Sequence, residues 1–135
     1  MASISRLLGL KNTSMIRVCC VYSYKGCDSC RKALKWLKER NIEFENLAIR
    51  ETPPKRDELA KMLSYYQGDL RRLFNVSGGD YRALNLKDKI SSLSEKEAFD
   101  LLGKNGNLVK RPFAIWATGG VVGFKETEWI ERLGF

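Results

Sequence analysis

The residues with the most chemical capacity lie close together. Cys19, Cys20, Cys27 and Cys30 fall within twelve residues, and the remainder of the chain has no cysteine. Histidine is absent, which excludes His-based acid/base catalysis, His-containing triads and His metal ligands. Chemistry is left to Cys, carboxylates, Lys, Arg and Tyr. Cys27-Asp28-Ser29-Cys30 has the C-x-x-C spacing, which on a helix puts the second thiol one turn after the first, near enough for a disulfide. If Cys27 lies where the helix begins, unpaired backbone N–H groups and the helix dipole favour its thiolate. Lys25 adds positive charge and Asp28 opposes it. Cys30, on the core-facing stripe, suits a resolving thiol.

A secreted disulfide scaffold would spread its cysteines to staple distant loops, so the cluster points to redox or metal chemistry in a reducing compartment. Zinc needs four ligands, and adjacent strand residues Cys19 and Cys20 point to opposite faces, so the four cannot converge on one tetrahedral site. Cys19 and Cys20 read as small hydrophobic residues. Two basic positions can hold an anion. Arg111, between Lys110 and Pro112, can aim a planar cationic fork at the thiol if the fold brings it there. Arg71 and Arg72, beside Leu70, Leu73 and Phe74, offer a second, of which one must be turned outward.

The elements that would position these groups are legible. Met15–Tyr24 is rich in β-branched and aromatic residues and reads as an interior strand, with Ile16, Val18, Cys20 and Tyr22 on one face and Cys19 and Val21 on the other. Asp28–Arg40 reads as a helix burying Cys30, Ala33, Leu34 and Leu37. Glu43–Ile49 is a second strand, which completes a βαβ unit with a parallel pair. Thr52-Pro53-Pro54 opens a helix carrying Leu59, Met62, Leu63 and Tyr66, and a short helical piece follows around Leu70–Phe74. Tyr81–Ile90 reads as helical. Ser94 and Glu97 form a capping box with Leu93 and Ala98 as its staple. Phe113–Ala117 and Val121–Phe124 form a hairpin turning at Thr118-Gly119-Gly120, and Glu126–Leu133 is a closing helix.

The chain has 135 residues, sized for one domain, with 44% hydrophobic and 30% charged residues, an ordinary globular composition. No apolar run is long enough for a membrane span. Net charge is +8, but Arg6, Lys11, Arg17 and Lys25 precede the first acid, Asp28; from there 20 basic residues face 16 acidic ones, or +4. No dense basic stripe with interleaved aromatics argues for direct nucleic-acid binding. Residues 1–14 contain no acid and read as a flexible extension before a single domain at 15–135, with a transit peptide as the competing reading.

Several motifs in one order, spanning about Met15 to Leu133, carry a resemblance: Cys27-x-x-Cys30-Arg31-Lys32-Ala33, Glu51-Thr52-Pro53-Pro54, Leu73-Phe74-Asn75-x-Ser77-Gly78, Tyr81-x-x-Leu84-Asn85-Leu86-Lys87-Asp88-Lys89, Lys110-Arg111-Pro112 and Val122-Gly123-Phe124-Lys125. The chain resembles the arsenate reductase-related proteins, the glutaredoxin-linked group that includes the Spx and MgsR regulators. The resemblance implies a thioredoxin-like α/β fold with a helical insertion at about 52–105. It implies that Cys27 is the nucleophile, that Arg111 lies beside it to hold an oxyanion or favour the thiolate, and that Arg71 is a second anion-binding residue. A third anion-binding position, arginine in arsenate reductases, falls at Lys125. The implied activity is reduction of a small oxyanion or a disulfide by a monomeric cytoplasmic enzyme without a bound cofactor, reoxidised thiols being restored by glutathione, glutaredoxin or thioredoxin. The alternative it implies is a redox-sensing regulator that contacts the RNA polymerase α subunit. Such regulators usually continue into a basic tail, and the sequence stops at Phe135 without one.

Overall fold

The computed structural model describes residues 17–135, apart from the side chains of Arg17 and Cys19. The expectations for residues 1–14, for Met15 and Ile16 in the first strand, and for the direction of Cys19 lie outside these. The elements run β1 (Arg17–Ser23), α1 (Asp28–Glu39), β2 (Glu43–Ala48), α2 (Arg56–Tyr65), a 3-10 turn (Leu70–Leu73), α3 (Gly79–Ala83), α4 (Leu86–Lys89), a 3-10 turn (Ile90–Ser92), α5 (Glu95–Lys104), a 3-10 turn (Gly106–Leu108), β3 (Phe113–Trp116), β4 (Gly119–Val122) and α6 (Glu126–Leu133).

The strands form one sheet in the order β2-β1-β3-β4. β1 and β2 are parallel, with α1 as their crossover; β1/β3 and β3/β4 are antiparallel. Strand side chains alternate between faces, and each face has its own core. On one side Val21, Ala114 and Val121 meet Ala33, Trp36 and Leu37 of α1 and Trp129 and Leu133 of α6. On the other, Tyr22, Phe113, Ile115 and Val122 meet the helical block, through Leu59, Met62, Phe99 and Leu102. The result is three layers with the sheet in the middle, and the site forms where β1 leaves it.

Three local expectations are corrected and one is refined. Val18 does not share a face with Cys20 and Tyr22: it packs with Val21, while Cys20 and Tyr22 join the opposite core. Pairing with β2 shifts between Arg17 and Cys20, and such an irregularity breaks strict alternation. Tyr81–Ile90 is helical in two pieces, because Asn85 takes φ +55 and separates α3 from α4; asparagine tolerates the left-handed region at low cost. Pro53 and Pro54 precede α2 rather than open it. Glu58 Oε1 accepts from the Lys55 N–H at 2.9 Å, which sets the start at Arg56. Gly119 and Gly120 belong to β4, paired with Trp116 and Ile115, and Ala117-Thr118 make the turn. A Cβ on Gly120 would lie 2.8 Å from Met62 Cε, so that glycine lets the sheet approach α2.

Other expectations hold. The capping box forms, with Ser94 Oγ accepting from Glu97 N at 3.1 Å and Glu97 Oε1 from Ser94 N at 2.9 Å. Trp129 is fully buried and donates from Nε1 to the Gly123 carbonyl at 2.8 Å, which meets the usual need of a buried indole for a partner. Among the described residues no helix is long and apolar enough to cross a membrane.

Candidate active site

The chain leaves β1 through Tyr24-Lys25-Gly26 and enters α1 at Cys27. The Tyr24 carbonyl accepts from the Cys27 N–H at 3.0 Å, which closes the turn. Cys27 is the N-cap residue with extended backbone (φ −99, ψ 118), and its Sγ accepts from the Cys30 N–H at 3.3 Å. A thiol thus stands where serine or aspartate commonly caps a helix. Cys30 lies one turn on, 1% exposed, and its thiol hydrogen-bonds to Cys27.

Three groups act on the half-buried Cys27 sulfur in favour of its thiolate. Burial opposes ionisation, but the Cys30 thiol, the Cys30 backbone N–H and the Arg111 guanidinium outweigh it and hold Cys27 below the ordinary cysteine value. Cys30 moves the other way. Burial, then the hydrogen bond to Cys27, push it up to about 12. The two sulfurs therefore differ: the thiolate is favoured at the partly accessible Cys27, and the buried Cys30 holds its proton. Asp28, which would oppose the thiolate, is exposed and engaged by Arg31 at 3.2 Å and Lys32 at 3.3 Å.

Arg111 enters from the loop before β3, next to the cis Arg111–Pro112 peptide. It is half-buried, its positive charge favours the Cys27 thiolate, and its buried Nη1 has no hydrogen-bond partner among the described residues. A buried donor beside a thiolate is a fitting place for substrate oxygen. Arg111→Ala removes a cation and a donor from the thiolate. The midpoint of the Cys27 alkylation rate against pH should move upward, towards the ordinary value near about 8.5. At neutral pH the rate should fall on the order of fivefold, as expected for losing a neighbouring cation that favours the thiolate.

The other proposed anion-binding residues are exposed. Arg71 is exposed on the 3-10 turn Leu70–Leu73. Lys125 is exposed just before α6 and lines a different depression with Arg72 and Glu128. Arg72 stacks on Tyr66 at 4.5 Å and pairs with Glu128 at 3.7 Å.

Two residues near the thiols were not singled out by the sequence. Tyr24 and Arg50 flank a cleft of about 650 Å³ between α1 and the end of β2, whose wall also includes Lys25, Cys30, Arg31 and Glu51. It opens at the carboxyl ends of the parallel strands β1 and β2, the usual place for a ligand crevice in α/β sheets. The sequence signal for Tyr24 was its place at the end of the first strand; Arg50 had none.

Comparison with known proteins agrees with this geometry. The ArsC family model matches residues 22–132. The uncharacterized protein YusI of Bacillus subtilis is 43% identical over 111 residues, covering 82% of this chain and 94% of that protein. The global transcriptional regulator Spx of Streptococcus mutans is 32% identical over 102 residues, covering 76% of this chain and 73% of that one. The crystal structure of a possible arsenate reductase from Streptococcus mutans UA159 superposes with a TM-score of 0.76 at 33% identity, covering 83% of this chain and 96% of that one. A thioredoxin-like α/β fold, a cysteine pair capping its first helix and a family match over most of the chain agree with one another: this protein belongs to the ArsC family.

Proposed function

We propose that the chain is a thiol oxidoreductase with Cys27 as nucleophile and Cys30 as resolving thiol. The observation that carries this reading is the Cys27 sulfur at a helix N-cap, accepting from the Cys30 N–H at 3.3 Å, with the Arg111 charge favouring its thiolate. With a mixed disulfide as substrate, the Cys27 thiolate attacks one sulfur, a new S–S bond forms and the other substrate sulfur leaves as a thiolate. With an oxyanion such as arsenate, the Cys27 sulfur bonds to arsenic as one As–O bond breaks and that oxygen leaves as hydroxide or water, giving a thiol ester whose remaining negative charge Arg111 stabilises. Cys30 then loses its proton and attacks the Cys27 sulfur. The Cys27–Cys30 disulfide forms, and the product leaves with two electrons gained. Glutathione, glutaredoxin or thioredoxin returns two electrons and two protons to the pair.

The test is an NADPH-oxidation assay coupled to glutaredoxin or thioredoxin, run with arsenate and with a glutathionylated thiol in parallel. Turnover of either supports the proposal, and no turnover of both ends it. The Spx likeness supports a second reading, in which the Cys27–Cys30 pair is a redox switch on a regulator that contacts RNA polymerase. A pull-down with the polymerase α subunit, positive in a protein without turnover, selects that reading.

A further inference from the structure

The Tyr24 ring carries two guanidinium groups. Arg111 Cζ is 5.0 Å from its centroid and Arg50 Cζ is 4.9 Å. Strand register accounts for the meeting. Tyr22 pairs with Phe113 across the antiparallel β1/β3 ladder, so continuing two residues sets Tyr24 opposite Arg111. Ser23 pairs with Ala48 in the parallel β1/β2 ladder, so the next residue, Ile49, falls beside Tyr24 and Arg50 follows one residue later, from where its guanidinium reaches the ring.

The Arg111 contact has few substitutes. Arg111 has no ion pair among the described residues, and its Nη1 has no hydrogen-bond partner there. This long side chain, with several free torsions, then rests on the face of Tyr24. Tyr24 itself is fixed by the turn: its carbonyl accepts from Cys27 N–H, and its ring folds back so closely that a Cβ on Gly26 would lie 2.6 Å from Cε2. No hydrogen bond of the Tyr24 hydroxyl occurs among the described residues, so the ring face is the part that acts. A cation over an aromatic face is attracted by the ring quadrupole, more strongly where water is partly excluded.

We infer that Tyr24 is a positioning residue: its ring face holds the Arg111 guanidinium against the Cys27 sulfur before substrate arrives. The inference rests on the thiolate chemistry proposed above and names the residue that sets its geometry.

The experiment follows iodoacetamide alkylation of Cys27 against pH by mass spectrometry, in the full chain and in Tyr24→Phe, Tyr24→Leu, Arg111→Ala and Tyr24→Leu/Arg111→Ala. Tyr24→Phe keeps the ring face and should overlay the parent curve. Tyr24→Leu should shift the midpoint upward, with the neutral-pH rate about threefold lower, as loss of one cation–π contact implies. The double variant should match Arg111→Ala alone, because Tyr24 acts through Arg111. An unmoved midpoint in Tyr24→Leu, or a full additive shift in the double variant, overturns the inference. An unmoved midpoint in Arg111→Ala overturns the thiolate reading itself, so the two failures are distinct. If Tyr24→Leu does not fold, Gly26→Ala, which pushes the ring aside without deleting it, should move the midpoint in the same direction; a parent-like curve from it rejects the inference.

Discussion

Cys27→Ser should lower turnover of arsenate and of a glutathionylated thiol by at least on the order of a thousandfold, because no other group at the site can form the covalent intermediate. Cys30 does not replace it: it is buried and its thiol stays protonated at neutral pH. Cys30→Ser should behave differently. The first attack proceeds, the resolving step does not, and intact-mass measurement should find one glutathionyl group on the protein. The order of events is built into the pair. While Cys27 is ionised, its hydrogen bond and negative charge add to burial in keeping Cys30 protonated. Once Cys27 is in a mixed disulfide that charge is gone, and Cys30 can ionise and attack. Turnover by Cys27→Ser near the parent rate, or no adduct on Cys30→Ser, would reject this sequence.

Gly106→Ala should destabilise the protein by about 3 kcal/mol or more, read as a lower denaturant midpoint at unchanged slope. A Cβ there would lie 1.9 Å from the Ile49 carbonyl oxygen and 2.9 Å from Arg50 Cα. Both are backbone atoms, so no side-chain rotation relieves the clash. Gly106 is buried in the 3-10 turn that ends the helical block, where that block rests on the end of β2. Gly103→Ala provides the opposite sign. Gly103 lies in α5 with nothing within 4 Å of a Cβ, so alanine there should stabilise by about 0.5 to 1 kcal/mol through helix propensity and lower unfolded-state entropy. Equal effects from the two substitutions would show that the close approach at Ile49 is not what selects glycine at 106.

The amino-acid sequence was informative where the physics is local. Helical periodicity placed Cys30, Ala33 and Leu37 inward, and they are buried. Side-chain chemistry over three residues identified the Ser94–Glu97 capping box. The same local rules put Cys27 at a helix start, because a strand ending in Lys25-Gly26 before a periodic apolar stripe has few other outcomes. The absence of histidine narrowed the chemistry before any fold was known.

Tertiary structure alone decided what lies beside that sulfur. The residues alone left Arg111 one charge among several, and only the resemblance set it beside Cys27; in the fold its charge acts on that sulfur. The shift in β1 pairing that turns Val18 to the face of Val21 left no mark in its residue types. Gly119 and Gly120 looked like a turn, because a glycine chosen for close packing against Met62 has the same letter as one chosen for backbone freedom. Tyr24, Arg50 and Arg111 meet because β1 is flanked by a parallel and an antiparallel partner: the antiparallel register sets Arg111 opposite Tyr24, and Arg50 lies one residue past the parallel position. Local propensity is set by neighbours within a few residues, whereas a charge-assisted contact between residues 27 and 111 depends on the registers of strands far apart in the chain, and those are set by burial of both sheet faces at once.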